Sequence, residues 1–264
     1  MAQGPGVGYA LPRAVSRPVA GVLWGLLALG GGAAVAGLLT EAARAWQIYL
    51  VNFLFWSGLA QGGVVFAAIY HVVGGKWSPA IRRLGEGMAA FLPVSLVLFL
   101  PLYFGLEAFF GPVRAINPLR GGWFDPRFIF VRGFLGLGSM TVLSLLFVYY
   151  SLRPEVGPAL ERGLGRPLWL YRWLAQEWHG PEVERERGKR GMGVLAAGVL
   201  LAYPITYTFM AFDLVMALDP FWYSSLFGGY FFISTFYLGL AGTAVVAVLA
   251  RRFLALSAIT PDQL

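Results

Sequence analysis

The sequence predicts an all-α integral membrane protein with about six transmembrane helices, on three observations. Charged residues make up 12% of the 264 residues and hydrophobic ones 58%, whereas a soluble domain carries roughly 25% charged residues. Mean hydropathy is +0.67. Six apolar stretches are each long enough to cross a hydrocarbon core, which takes about 20 helical residues. These stretches exceed the roughly ten residues of a barrel strand. A helix also satisfies its backbone polar groups within its own segment. Low charge with high hydrophobicity excludes a disordered chain.

The elements follow in order. A segment over 1–18 precedes spans at 19–39, 47–73, 88–110 and 128–150. A charged connector over 151–191 leads to spans at 192–216 and 224–250, and 251–264 closes the chain. The apolar part of the first span exceeds a signal-peptide core of roughly 7–15 residues and no small-x-small cleavage site follows it, so the span is expected to be retained. Gly58 and Gly62 in the second span form a small-xxx-small pair, and glycines recur in the fourth (Gly133, Gly136, Gly138) and sixth (Gly228, Gly229, Gly239, Gly242). In lipid, small residues let helices approach closely, so a tight bundle or a subunit interface is expected. Pro93, Pro101 and Pro204 are expected to break the backbone ladder and kink the third and fifth spans. The connector ends in the run Glu182–Arg190, whose opposite charges three and four apart suit a solvated or membrane-surface helix.

Charge sets the expected orientation. With the N-terminus cytoplasmic, the inner segments hold fifteen of the 20 Lys and Arg. The outer segments hold Arg44, Arg114, Arg120 and Arg127, and Arg132 lies inside a span. That asymmetry predicts N-in and C-in. The formal charge of +7 is thereby a matter of topology; without a basic stripe interleaved with aromatics, a nucleic-acid partner is not indicated.

Ionisable groups at membrane depth are expensive and mark pairs, cavities or function. Glu107 near the outer end of the third span, Arg132 one turn into the fourth and Asp213 in the fifth fall in one outer layer, joined by Asn52 of the second. Arg132 pairing with Glu107 or Asp213 would pin the bundle. The alternative is an outer polar pocket. A quinone head group, with its two carbonyls, asks for donors such as Arg132 and Asn52 beside an apolar groove, and proton transfer asks for a buried carboxylate. His71 and Glu86 sit at the inner ends of their spans, where protons could enter. Gln61, Tyr203, Thr206 and Tyr207 lie between the layers, which half supports a proton path.

Absences narrow the chemistry of this chain. It has no Cys, so it cannot itself supply ligands for an iron–sulfur cluster, a thioether-linked haem or a Cys-ligated zinc. Its two His, His71 and His179, leave His71 alone at depth, which excludes a bis-histidine haem b. No cofactor is expected on this chain, and electron carriers are assigned to partners.

Several motifs carry a resemblance. Tyr49–Gly63 reads YLVNFLFWSGLAQGG and is followed by Lys76–Pro79 (KWSP), Ile81–Glu86 (IRRLGE), Phe91–Val94 (FLPV), Phe128–Gly133 (FIFVRG) and Phe212–Ser224 (FDLVMALDPFWYS). Their order resembles the NrfD-like membrane subunits of alternative complex III, the bacterial quinol:electron-acceptor oxidoreductase, over roughly residues 45–264, and within them the ActF type. The resemblance implies a multi-pass subunit without redox centres in the bacterial cytoplasmic membrane. Its implied neighbours are a homologous quinol-oxidising subunit, an iron–sulfur/molybdopterin-like subunit and multihaem and monohaem cytochrome c subunits. Quinol or menaquinol is the implied reductant, with haem c and iron–sulfur clusters on the partners. Glu86, Arg132, Asp213 and Asp219 fall on the family's motifs, for which proton translocation is implied. His71, Glu107, Thr206 and Tyr207 are added from depth alone. Members of that family carry further spans, so the second helical bundle is expected to be incomplete here.

Three rival readings stand beside the respiratory one. The chain could be a purely structural anchor of the same complex, an NrfD-like anchor of a molybdenum reductase, or a stand-alone transporter. A transporter of the inverted-repeat type would show two corresponding halves around broken helices, and no clear pair is visible.

Overall fold

A computed structural model of the chain describes residues 17–116, 122–161 and 172–254. The expected terminal segments before residue 17 and after 254, Arg120, and residues 162–171 of the connector lie outside the described residues. Among those described, the chain is helical without strands, and six helical runs are long and apolar enough to cross a membrane: Arg17–Thr40, Ala42–Val72, Pro79–Val113, Pro126–Glu161, Pro181–Leu218 and Phe227–Arg252.

The first two runs are single helices, α1 (Arg17–Thr40) and α2 (Ala42–Val72). The third is broken, as its prolines foretold. It comprises α3 (Pro79–Gly87), a 3₁₀ turn over Met88–Phe91, α4 (Leu92–Phe99), a second 3₁₀ segment over Leu100–Gly105, and α5 (Leu106–Ile116). Pro93 stands in the first turn of α4 and Pro101 in the second 3₁₀ segment. Pro101 has no N–H to return to the carbonyl of Leu98, three residues back. The Tyr49 hydroxyl reaches across from α2 and donates to that carbonyl at 2.7 Å. Tyr49→Phe is therefore expected to cost about 1–2 kcal/mol, the penalty for stripping a partner from a backbone carbonyl, as read by the midpoint of SDS-induced unfolding.

The fourth and fifth runs outgrow their expected spans. α6 (Pro126–Glu161) continues eleven residues past Tyr150 into the connector, and α7 (Pro181–Leu214) begins eleven residues before Met192. α7 passes Pro204 without interruption, unlike the third run. A short 3₁₀ turn, Met216–Leu218, precedes α8 (Phe227–Leu254).

The core forms where α2, α6, α7 and α8 meet. Phe53, Phe99, Leu137, Met140, Phe147, Val199, Tyr203 and Tyr207 are buried there with little or no exposure. α6 packs along α7, and α2 lies against both α7 and α8. The glycine pair of α2 sets the α2–α8 distance. A Cβ on Gly62 would strike the backbone of Thr235 and Gly239, and one on Gly58 would meet Thr235 Cγ2 at 2.8 Å. α1 is different, since it touches α2 near Gly37 and Ala45 yet buries none of its own residues.

Candidate functional site

Buried polar groups are costly in an apolar bundle, so the places where the chain accepts them define its candidate site. Most of them fall at four levels along α6 and its neighbours.

The first level is an ion pair. Arg132, one turn and a half into α6, donates from Nε to Asp213 Oδ2 at 2.8 Å and from Nη2 to Oδ1 at 2.6 Å. This fork-on-carboxylate geometry is the strong form of the contact. Asp213, in the last turn of α7, is 2% exposed. The 3₁₀ turn Gly122–Phe124 puts the ring of Trp123 4.1 Å from the guanidinium carbon, and Phe128 lies 4.9 Å away. Asp125 builds this corner by accepting from the backbone N–H of Arg127 and Phe128 at the start of α6. Arg132 Nη1 is buried and has no acceptor among the described residues.

The two middle levels are uncharged. The Tyr207 hydroxyl donates to the Ser57 carbonyl at 3.3 Å, and its ring lies 4.7 Å from that of Tyr203, whose own hydroxyl meets Thr235 Oγ1 and the Phe232 carbonyl. One turn further along α2, fully buried Gln61 donates to Ser144 of α6 at 3.0 Å.

The fourth level is a charge cluster at the opposite end from Arg132. Glu86, 2% exposed, accepts from Arg83 at 2.5 Å and from the Ser151 hydroxyl at 2.8 Å, while Arg82 approaches at 3.3 Å. Arg83 also bonds the Ser151 hydroxyl and carbonyl and pairs with Glu155. Ser78 caps α3 by accepting from Ile81 N–H, which orients this basic turn toward α6. His71 ends α2 nearby, half-buried, with its ring edge-on to Phe147.

At 1.5 Å per helical residue, Arg132 and Ser151 stand about 28 Å apart along α6, close to the thickness of a hydrocarbon core. The two charge clusters therefore bracket the apolar layer. Counting along the helices in the same way, the first two levels lie about 9 Å apart on α7, the middle two about 6 Å apart on α2 and the last two about 10 Å apart on α6. No hydrogen bond between described residues joins one level to the next, so proton passage along this column would require intervening water.

The structure separates the residues that the sequence grouped together. Arg132 takes Asp213, whereas Glu107 stands on the exposed side of α5 in its first turn. Asn52 is exposed, donates to the Ile48 carbonyl of its own helix, and lines a groove of about 480 Å³ between α1 and α2 with Tyr49, Trp46 and Gly37. It does not share the surroundings of Arg132. Thr206 is half-buried with its methyl toward Gly136, in a packing position. Asp219 is exposed after the 3₁₀ turn, where Oδ1 accepts from the N–H groups of Phe221 and Trp222 and shapes the loop.

Sequence reasoning passed over Arg82, Arg83, Ser151 and Glu155, which read as ordinary loop and helix-end residues. It also read Glu182–Arg190 as a solvated or membrane-surface helix, with no member of the run singled out as buried. Glu184 departs from that expectation: it is 1% exposed, and Arg153 pairs with it at 2.7 Å while also bonding the Tyr149 hydroxyl and the carbonyls of Gln176 and Glu177. Trp178 covers Gly157 and donates to the Arg153 carbonyl. Part of the connector is thus folded onto the end of α6.

Among the described residues, no group of three His, Cys, Asp or Glu is placed to hold a metal ion. In comparison with known proteins, the chain matches no family model and no curated protein.

Proposed function

We propose that this chain is a cofactor-free membrane subunit of a bacterial quinol:electron-acceptor oxidoreductase, where it assists proton translocation, quinone binding or both. The reading rests on the resemblance of its motifs to NrfD-like subunits. The observation that carries it is the column of buried polar groups between two charge clusters. Glu86 would receive protons at the cytoplasmic end, and Asp213 would exchange them at the outer end, with Tyr207, Ser57, Gln61 and Ser144 supporting water between. Arg132 pairs with Asp213 and keeps Nη1 available to an acceptor such as a quinone carbonyl. The haem c and the iron–sulfur clusters belong to the partner subunits in this reading, and quinol or menaquinol is the reductant.

The test begins with purification of the tagged chain in mild detergent. Copurifying c-type cytochromes and an iron–sulfur subunit, with quinol-dependent haem reduction in the visible spectrum, is the expected result. A colourless oligomer of this chain alone would overturn it and favour a transporter; a molybdenum enzyme in the eluate would favour the reductase anchor. In the intact complex, Asp213→Asn and Glu86→Gln are each expected to abolish the proton release that exceeds what quinol oxidation itself frees per electron. Unchanged proton release in both variants, with the complex assembled, would leave only the role of structural anchor.

A further inference from the structure

Where α6 and α7 emerge from the bundle at the Glu86 end, they enclose an open cleft of about 420 Å³. Arg153 and Tyr149–Tyr150 line it from α6, and Glu184, Arg187 and Arg190 from α7. Gly191 closes the inner wall against the Tyr150 ring, which a Cβ at that position would strike at 2.6 Å. The charges do not balance. Glu184 is the one carboxylate in the lining; Arg153 satisfies it at 2.7 Å and Arg187 approaches it at 3.7 Å. Arg187 Nη1 also lies 3.4 Å from His179 Nδ1. Arg190 makes no ion pair with another described residue. Three guanidinium groups against one carboxylate leave an excess of two positive charges in a concave site.

Depth identifies what would neutralise them. Tyr149–Tyr150 and Gly191–Met192 mark the ends of the apolar spans of α6 and α7, so the cleft sits at the level of the lipid headgroups, where tyrosine is enriched. Basic clefts between transmembrane helices at this level suit anionic headgroups, and arginine matches the oxygens of a phosphate with its fork of donors. We propose that this cleft binds the phosphodiester of an anionic phospholipid, with Arg187 and Arg190 as the contacting groups and Arg153 as the residue that holds Glu184 and the cleft wall in place. The site is independent of the respiratory reading.

The test uses the full chain, delipidated in mild detergent. Phosphatidylglycerol, phosphatidylcholine with the same acyl chains, and inorganic phosphate are titrated separately, with the thermal unfolding midpoint and native mass spectrometry as readouts. The expected result is one retained phosphatidylglycerol and a raised midpoint, with neither phosphatidylcholine nor inorganic phosphate giving that response. A basic residue at an anionic surface contributes about a fivefold factor, so R187Q/R190Q is expected to weaken phosphatidylglycerol binding roughly 25-fold. R185Q/K189Q removes the same charge from positions of α7 outside the cleft and is expected to bind as the parent does. Equal loss in the two double variants would show diffuse surface attraction and overturn the site. So would equal binding of both lipids, and a response to inorganic phosphate alone would reassign the cleft to a soluble anion.

Discussion

Asp213→Ala is expected to destabilise the folded chain by about 3 kcal/mol, while the double replacement R132M/D213L recovers most of that loss. Removing one partner of a buried ion pair leaves an uncompensated charge, and the penalty is a few kcal/mol. Here the orphan would be Arg132, which sits inside an apolar span where an arginine costs roughly 2.5–3.5 kcal/mol at full depth. Its position near the end of α6 softens that figure, because a long side chain can reach toward the interface. The packing against Trp123 at 4.1 Å and Phe128 at 4.9 Å opposes such an escape. The double replacement removes both charges and fills their volume with apolar groups, which is often close to neutral. The unfolding midpoint in SDS for the parent, R132M, D213L and R132M/D213L closes the cycle. A coupling below about 0.5 kcal/mol would mean that the pair contributes nothing to the fold, within the scatter of independent sites. The same variants separate architecture from function: a stable R132M/D213L chain with lost proton release would place the reason for the charges in the chemistry.

The column of polar groups was legible in the sequence only in part. Arg132, Asp213, Gln61 and Tyr207 stand out because polar side chains inside apolar runs are rare, and counting residues from the ends of each span places them in depth. Counting cannot tell which face of a helix meets which neighbour. That is why Glu107 competed with Asp213 for Arg132, and why Asn52, equally deep, turned out to face α1. Arg82 and Arg83 were counted as loop charges because the topology argument treats every basic residue outside a span as solvated. The short helix α3 instead folds both onto Glu86. Glu184 was obscured in the same way, since an alternating charge run looks solvated until a partner such as Arg153 buries one member. The broken third run was legible because proline removes a backbone donor, yet α7 carries Pro204 inside one continuous helix, so a proline alone does not fix where a helix breaks.

The glycine contact between α2 and α8 carries the other large expected effect. Gly239→Val should separate the two helices and lower stability by more than the 1–3 kcal/mol typical of overpacking. A Cβ at Gly239 would overlap the backbone of Gly62 and Gly63, and one at Gly62 would overlap that of Thr235 and Gly239. Backbone cannot rotate away as a side-chain tip can, so the helices must move apart and forfeit contact along the seam, where van der Waals packing is the main attraction between helices in lipid. The Thr243 hydroxyl, bonded to the Gly239 carbonyl at 2.8 Å, and fully buried Ala247 would lose their close packing along with it. Gly229→Val provides the control: it lies on the same helix, and a Cβ there meets only Leu226 Cδ1 at 3.9 Å. It is expected to change the unfolding midpoint little. The consequence reaches the polar column, because Gln61 and Ser57 ride on the same helix as Gly62. If α2 shifts away from α8, the Gln61–Ser144 and Tyr207–Ser57 contacts change with it. Gly239→Val is therefore expected to lower both stability and any proton-coupled activity, whereas Gly229→Val alters neither. Cross-linking of cysteines introduced at exposed positions on α2 and α8 would report the change in spacing directly.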